Sequence, residues 1–293
     1  ALALNPSDEE ALLNKGIALS QLGYNEESIE LFDEILTFDP ENEEAMFQKA
    51  ITLEIMEKYD EAIEIFKFLT GSEPFRKDAF QELAYCYQCI DNIDKAVNFY
   101  SKAIDDDPYD YELWYNLGIL HSQKEQYYQA IDAFEMLLAI KDDYFMALYN
   151  IGNIYSTLGR LHDAIKYYED ALRCNPGDME TLHNLASVYG DSGNYMKAIE
   201  IFSEIIEMAP EYFSPYFGRA VCYDSLEQYD KALRDYNKAL SINDKNPELW
   251  YAKADMLYNM NRQEEALKCY RKVVALQPEN TECLFDLGMT YFE

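Results

Sequence analysis

The stretch Trp114–Phe134, WYNLGILHSQKEQYYQAIDAF, decides the fold. Trp114, Leu117, Gly118 and His121 recur at three- and four-residue steps, the spacing of one face of an α-helix. After a polar break, Ala130 and Phe134 repeat that spacing. Gly118 also belongs to a ladder of step 34 that runs Gly16, Ala50, Ala84, Gly118, Gly152, Ala186, Ala220, Ala254 and Gly288. Ala130 belongs to another: Ser28, Ala62, Ala96, Ala130, Ala164, Ala198, Ala232 and Ala266. A third carries Pro6, Pro40, Pro74, Pro108, Pro176, Pro210 and Pro278, with Asp142 and Asp244 on its two remaining rungs. No insertion or deletion disturbs the register. The 293 residues therefore read as one repeating helical unit rather than the two domains that length alone suggests.

Trp114-x2-Leu117-Gly118-x2-His121 resembles the W-x2-L-G-x2-Y signature of tetratricopeptide repeat (TPR) proteins, with His where that family has Tyr. Ala130-x3-Phe134, Ala62-x3-Phe66 and Ala198-x3-Phe202 resemble its A-x3-F, and the proline ladder resembles its closing Pro. The resemblance covers essentially the whole chain. Eight frames span 9–42, 43–76, 77–110, 111–144, 145–178, 179–212, 213–246 and 247–280. Residues 1–8 read as the end of a preceding repeat and 281–293 as the first helix of a ninth, so both ends look cut from a longer array or lack the polar caps that keep a solenoid soluble. The resemblance implies an all-α solenoid, a right-handed superhelix of antiparallel helix pairs whose first helices line the concave face.

Within the fourth frame the spacing predicts helices near Tyr111–Lys124 and Tyr127–Ala139. The Gly/Ala ladders let the paired backbones approach closely. Aromatic rungs at Phe32, Phe66, Tyr100, Phe134, Tyr168, Phe202, Tyr236 and Tyr270 fill the space between them. Proline lacks an N–H and ends the second helix, and Asp142 and Asp244 can end it through local side-chain bonds. The core is expected at frame positions 4, 7, 8 and 11. One pair cannot bury both its faces, so stability comes from stacking.

The balance of 24 Lys+Arg against 55 Asp+Glu gives a net charge of −31. Such a surface repels phosphate, which argues against nucleic acid and anionic membranes as partners. A hydrophobic content of 49% excludes a disordered acidic tail. No apolar run approaches the roughly 20 residues that cross a bilayer. Ala1–Glu10 has neither a basic nor an apolar leader region, and Asn5-Pro6-Ser7 is blocked as a glycosylation acceptor. Six cysteines in this length make no disulfide framework, so a cytoplasmic location is expected.

By the family resemblance, frame positions 2, 5, 6, 9, 12 and 13 face the groove. Of the 24 Lys and Arg residues about four would fall there by chance, yet none does. Acids do: Glu10, Glu44, Glu54, Asp78, Glu82, Glu112, Glu180, Asp191, Asp224, Glu248 and Asp255. Position 5 carries Phe47, Tyr115, Tyr149, His183, Phe217, Tyr251 and Phe285, with Tyr85 and Tyr258 nearby. Rings there supply rigid contact area and attract cations; the same rings can instead pack between adjacent helices. Position 6 carries Asn14, Asn116, Asn150 and Asn184, with Gln48 in the second frame and Asn153 one turn beyond Asn150. Carboxamides donate and accept, so such a row can pair with an extended peptide backbone; it resembles the asparagine ladder of some TPR superhelices. It lapses at Glu82, Gly218, Ala252 and Asp286. Without cations the stripe has no clamp for a terminal carboxylate, which sets the chain apart from chaperone-binding TPR arrays.

Chemistry-bearing motifs are sparse. Cys86-Tyr87-Gln88-Cys89 lies mid-helix, with no second pair at zinc spacing. His121 stands where the family has a core Tyr. His183 has Ser187 one turn away but no orienting carboxylate in the pattern. No Gly-rich phosphate loop is present. No metal or cofactor is expected, and the chain reads as a non-enzymatic scaffold that binds a basic or neutral segment of another protein. Two further readings stay open: a recruiting arm of a larger enzyme, and a module that self-associates through its terminal repeats.

Overall fold

The computed structural model describes residues 8–292, with the side chain of Phe292 outside that description. Residues 1–7, most of the segment read as the end of a preceding repeat, lie outside the described residues. Among the described residues there are seventeen helices and no strand, so the chain is all-α. Contacts divide it into two compact units, one ending at Asp142 and the other beginning at Asp143. The first unit holds α1 (Glu9–Gln21), α2 (Asn25–Phe38), α3 (Glu43–Ile55), α4 (Tyr59–Leu69), α5 (Arg76–Cys89), α6 (Ile93–Asp106), α7 (Tyr111–Gln123) and α8 (Tyr127–Ile140). The second holds α9 (Phe145–Thr157), α10 (Leu161–Cys174), α11 (Met179–Asp191), α12 (Tyr195–Met208), α13 (Phe213–Ser225), α14 (Tyr229–Ile242), α15 (Pro247–Asn259), α16 (Gln263–Leu276) and α17 (Thr281–Phe292). In each unit, odd-numbered helices pack against the even-numbered helix that follows.

Local chemistry sets the boundaries. Asp8, Asn42, Asp110, Asp178, Asn246 and Asn280 each cap a first helix by accepting a backbone N–H of its first turn. Such a cap is worth about 1 kcal/mol. First helices end in a left-handed residue, at Gly23, Glu57, Asp91, Glu125, Gly159, Gly193, Glu227 and Asn261. Second helices other than α4, which ends in the helical residue Thr70, end in an extended residue. Where proline follows, sterics with its ring disfavour helical geometry at that residue: Asp39, Asp107, Asn175, Ala209 and Gln277 are all extended in ψ. Lys141 and Asn243 take the same shape with aspartate following (ψ 92° and 90°), so proline is not required for it. Trp250 Nε1 donates to the Asp244 carbonyl at 2.8 Å and Trp114 Nε1 to the Pro108 carbonyl at 2.9 Å. The first helix thereby ties down the preceding turn whether or not proline occupies the rung.

The small ladders lie inside, apart from Gly288 on the last helix, which is exposed. Ala62, Ala96, Ala130, Ala164, Ala198, Ala232 and Ala266 are fully buried, and Ser28 is buried with its hydroxyl donating to the Gly16 carbonyl at 2.8 Å. Gly16 and Gly118 are covered by the rings of Phe32 and Phe134, close enough that a Cβ would stand 2.6 Å from either ring. Two features of the core depart from expectation. Frame positions 3 and 10 are also buried, as at Ala45, Ala79, Leu113, Cys86, Val188 and Met256, because each first helix is covered by neighbours on two sides. Position 7, apolar at Leu83, Leu117, Ile151 and Leu185, is basic at Lys15, Lys49 and Lys253 and holds Arg219 in the seventh frame. Its guanidinium donates to both oxygens of the nearly buried Asp235, at 2.7 and 2.9 Å, and to Ser203 Oγ at 2.9 Å. His121, expected in the core, is half-buried with Nδ1 2.8 Å from Gln126 Oε1.

Candidate functional site

The stripe residues come from first helices, whose heptad-like spacing puts positions 2, 5, 6, 9, 12 and 13 on adjoining faces. In the first unit Asn14 is exposed, Phe47, Tyr115 and Asn116 are half-buried, and Tyr85 is 43% exposed. Phe47 meets Phe66 edge-on at 5.7 Å and stacks on Phe75 at 5.2 Å. Tyr115 leans on Phe134 at 5.9 Å. Glu54 and Glu82 approach one another on neighbouring first helices. Burial, with repulsion from Glu54, pushes the Glu82 carboxyl up to about 8. Burial likewise raises Glu54, which accepts a weak hydrogen bond from Cys86 Sγ at 3.6 Å.

In the second unit four rings of position 5 also rest on the aromatic rung of their own second helix, while Phe285, on the last helix, is exposed. Tyr149 meets Tyr168 at 6.2 Å, His183 meets Phe202 at 5.6 Å, Phe217 meets Tyr236 at 6.2 Å, and Tyr251 meets Tyr270 at 6.0 Å. These rings are half-buried: one side packs on the core rim and the rest stays open. The amides form a connected network. Asn184 Nδ2 donates to Asn153 Oδ1 and to the Tyr149 hydroxyl, both at 3.2 Å, and the Tyr149 hydroxyl donates to Glu180 at 2.7 Å. The buried Nδ2 of Asn150 meets no hydrogen-bond partner among the described residues. Asp255 accepts from the Tyr270 hydroxyl at 2.6 Å. Burial, with repulsion from Asp255, raises Asp224 above the ordinary carboxylate range, and burial, with repulsion from Asp286 and Glu282, raises Asp255.

Several cations are engaged elsewhere. Lys49 pairs with Asp33, Lys77 with Asp107 and Asp110, Lys124 with Asp94, and Arg219 with Asp235. Among the described residues none of the ion pairs uses a carboxylate of the stripe. Among the described residues the stripe acids therefore stand without an ion-pair partner.

No group of three or more His, Cys, Asp or Glu side chains is placed to hold a metal among the described residues. Cys86 is buried and Cys89 exposed. His183 Nε2 lies 2.6 Å from Ser214 Oγ, a residue the sequence pattern did not single out. Ser187 turns its hydroxyl to the His183 carbonyl at 2.9 Å instead of to the ring. Around His183 a cavity of about 570 Å³ opens, bounded by α11, α12, α13 and the start of α15. Sequence reading missed it. Its one signal was the loss of side chains at Gly190 and Gly218 inside otherwise regular frames.

An array of helix pairs at a strict 34-residue step, with small residues where the pairs cross, defines a helical-repeat protein. A tetratricopeptide repeat model matches residues 111–279, and a model described as the N-terminal TPR repeats region of psidin matches residues 18–146. The chain belongs to the tetratricopeptide repeat family. No curated protein matches it. Among solved structures it is similar to the C-terminal part of a TPR repeat-containing protein from Cytophaga hutchinsonii, with TM-score 0.70, 21% identity, and coverage of 82% of this chain and 99% of the other. It is also similar to a TPR protein from Parabacteroides merdae, with TM-score 0.59, 18% identity, and coverage of 85% and 98%. A third likeness is YrrB, described as a TPR protein with an unusual peptide-binding site, at TM-score 0.54, 19% identity, and coverage of 64% and 96%. At these identities the likeness is one of fold. TPR arrays generally serve as protein-interaction scaffolds. No described helix is long and apolar enough to cross a membrane.

Proposed function

We propose that the chain is a binding module whose first-helix stripe holds an extended or helical segment of another protein, Lys- or Arg-bearing or uncharged. The observation that carries this reading is the set of stripe carboxylates without internal cations. Glu82, Asp224 and Asp255 are half-buried, crowd other acids and sit above their ordinary pKa, an arrangement that a guest ammonium or guanidinium relieves. The open faces of Tyr85, Tyr149 and Tyr251 give the guest's side chains rigid surface, and the amides of Asn116, Asn153 and Asn184 suit its backbone. The frames 9–42 to 247–280 set the register of these contacts. YrrB, similar in fold, carries a peptide-binding site by its description. All six cysteines are free thiols, as the reducing cytoplasm keeps them.

Calorimetry with basic, neutral and acidic peptide pools tests the reading. Basic or neutral peptides should bind, with the affinity of the basic ones falling as salt rises. Exclusive binding of acidic peptides sinks it. The companion measurement is capture of partners by the wild type against a chain carrying Asp224→Lys, Glu248→Lys and Asp255→Lys, which should lose them.

A further inference from the structure

The cavity beside His183 deepens that reading and rests on it. Its walls are apolar: Phe202, Phe213, Phe217 and Val221 line it. Two glycines, Gly190 and Gly218, lie on its lining. At frame position 6, where the preceding repeat has Asn184, Gly218 leaves its Cα against the ring of Phe202; a Cβ there would stand 2.3 Å from the ring. Gly190 leaves open the side facing Cys222, whose sulfur would lie 3.5 Å from an added Cβ. The volume of about 570 Å³ is in the range of small-ligand clefts and accommodates one large side chain with room for neighbouring backbone.

The charge of the opening is one-signed. Asp191 and Glu248 are exposed side chains on the lining, and neither is in an ion pair among the described residues. His183 adds no compensating charge near neutral pH, because burial lowers its pKa while its Nε2 is engaged with Ser214. The Cys222 thiol is buried and pushed up to about 11, so it behaves as a small apolar wall and not as a nucleophile.

We propose that this cavity is the anchor pocket of the module: it takes a bulky apolar side chain of a partner segment that carries Lys or Arg within a turn of that anchor, the cation lying between Asp191 and Glu248. Apolar anchor and cationic neighbour together define the partner motif; the apolar walls exclude a purely basic segment from the pocket, and the carboxylates exclude an acidic one.

The test is selection of a random peptide library, about 12 residues long, on the full chain. The selected peptides are then measured by fluorescence polarisation against four variants. Val221 is 41% exposed on the cavity lining, so Val221→Trp fills the space from outside the core; Ser225→Trp, also exposed on the lining, repeats the test should the first variant fail to fold. Selected peptides should pair one large apolar residue with Lys or Arg, and either tryptophan should weaken them about tenfold or more. Asp191→Asn with Glu248→Gln should weaken them several-fold and flatten their salt dependence. Unchanged binding to the tryptophan variants, with loss in Asp224→Lys plus Asp255→Lys, overturns the pocket and leaves the groove reading standing. Unchanged binding to every variant, selection of acidic peptides, or no selection overturns both.

Discussion

The hydroxyl of Tyr168 donates to Asn153 Oδ1 at 2.6 Å, and the same oxygen accepts from Asn184 Nδ2 at 3.2 Å. Two donors on one oxygen settle the orientation of the Asn153 amide and turn its NH2 away from them. A rung of the core thus orders a side chain of the stripe. Tyr168→Phe should cost about 1 kcal/mol of stability, read as a lower urea midpoint with an unchanged slope. It should also weaken groove peptides, because the amide is no longer held.

Glu82 makes stability depend on pH. Its folded pKa of about 8 lies above the ordinary value of 4.5, so the folded state holds the proton more tightly. Stability then falls as pH rises from about 4.5 through about 8. Glu82→Gln, neutral throughout, should melt higher than wild type at pH 8.5, with the difference shrinking toward zero as the pH approaches 4. An equal difference at all pH values would contradict the assignment.

The same carboxyl reports binding. At pH 7 Glu82 is largely protonated by its pKa of about 8, and a cation brought beside it favours the ionised form. Basic peptides that reach the first unit should release protons. Calorimetry in two buffers of different ionisation enthalpy measures the release, and Glu82→Gln should abolish most of it.

Glu125 sits at φ 57° in the turn between α7 and α8, where Gly23, Gly159 and Gly193 stand in other frames. A Cβ in the left-handed region costs roughly 1–2 kcal/mol, offset in part by the backbone entropy of glycine. Glu125→Gly should raise stability by about 0.5–1 kcal/mol in thermal melts. The same change at Asp132, inside α8, should instead lower it by about 0.3 kcal/mol.

Arg219 and Asp235 form a shielded, bidentate pair. Removing one partner leaves a charge with no counterpart, so Asp235→Ala should cost about 3–5 kcal/mol. Arg219→Met with Asp235→Leu should recover most of that, since position 7 is apolar in the preceding frame, at Leu185. A double mutant no better than the single one would show that the Ser203 contact carries the stability instead.

How much of this was legible beforehand follows from what a repeat averages. Ala198 and Gly118 could be placed inside from a single chain because their ladders sample the same environment again and again, so chance substitutions cancel. Positions 3 and 10 were not assigned to the core. Their burial depends on the next pair lying alongside, which no single helix's apolar periodicity encodes. The rings of position 5 were left between groove and core, and Tyr149 and Phe217 do lie across that boundary, half on Tyr168 and Tyr236.

The amino-acid order alone determined the helix pair, its 34-residue step and the cation-free stripe, because those properties depend on neighbours within one or two turns. Only the tertiary structure decided that Arg219 finds Asp235, that Asn153 is turned by Tyr168, and that α11 and α13 leave a cavity between them. Each joins residues that sequence separates and packing brings together, and side-chain direction at that distance is set by the surrounding core.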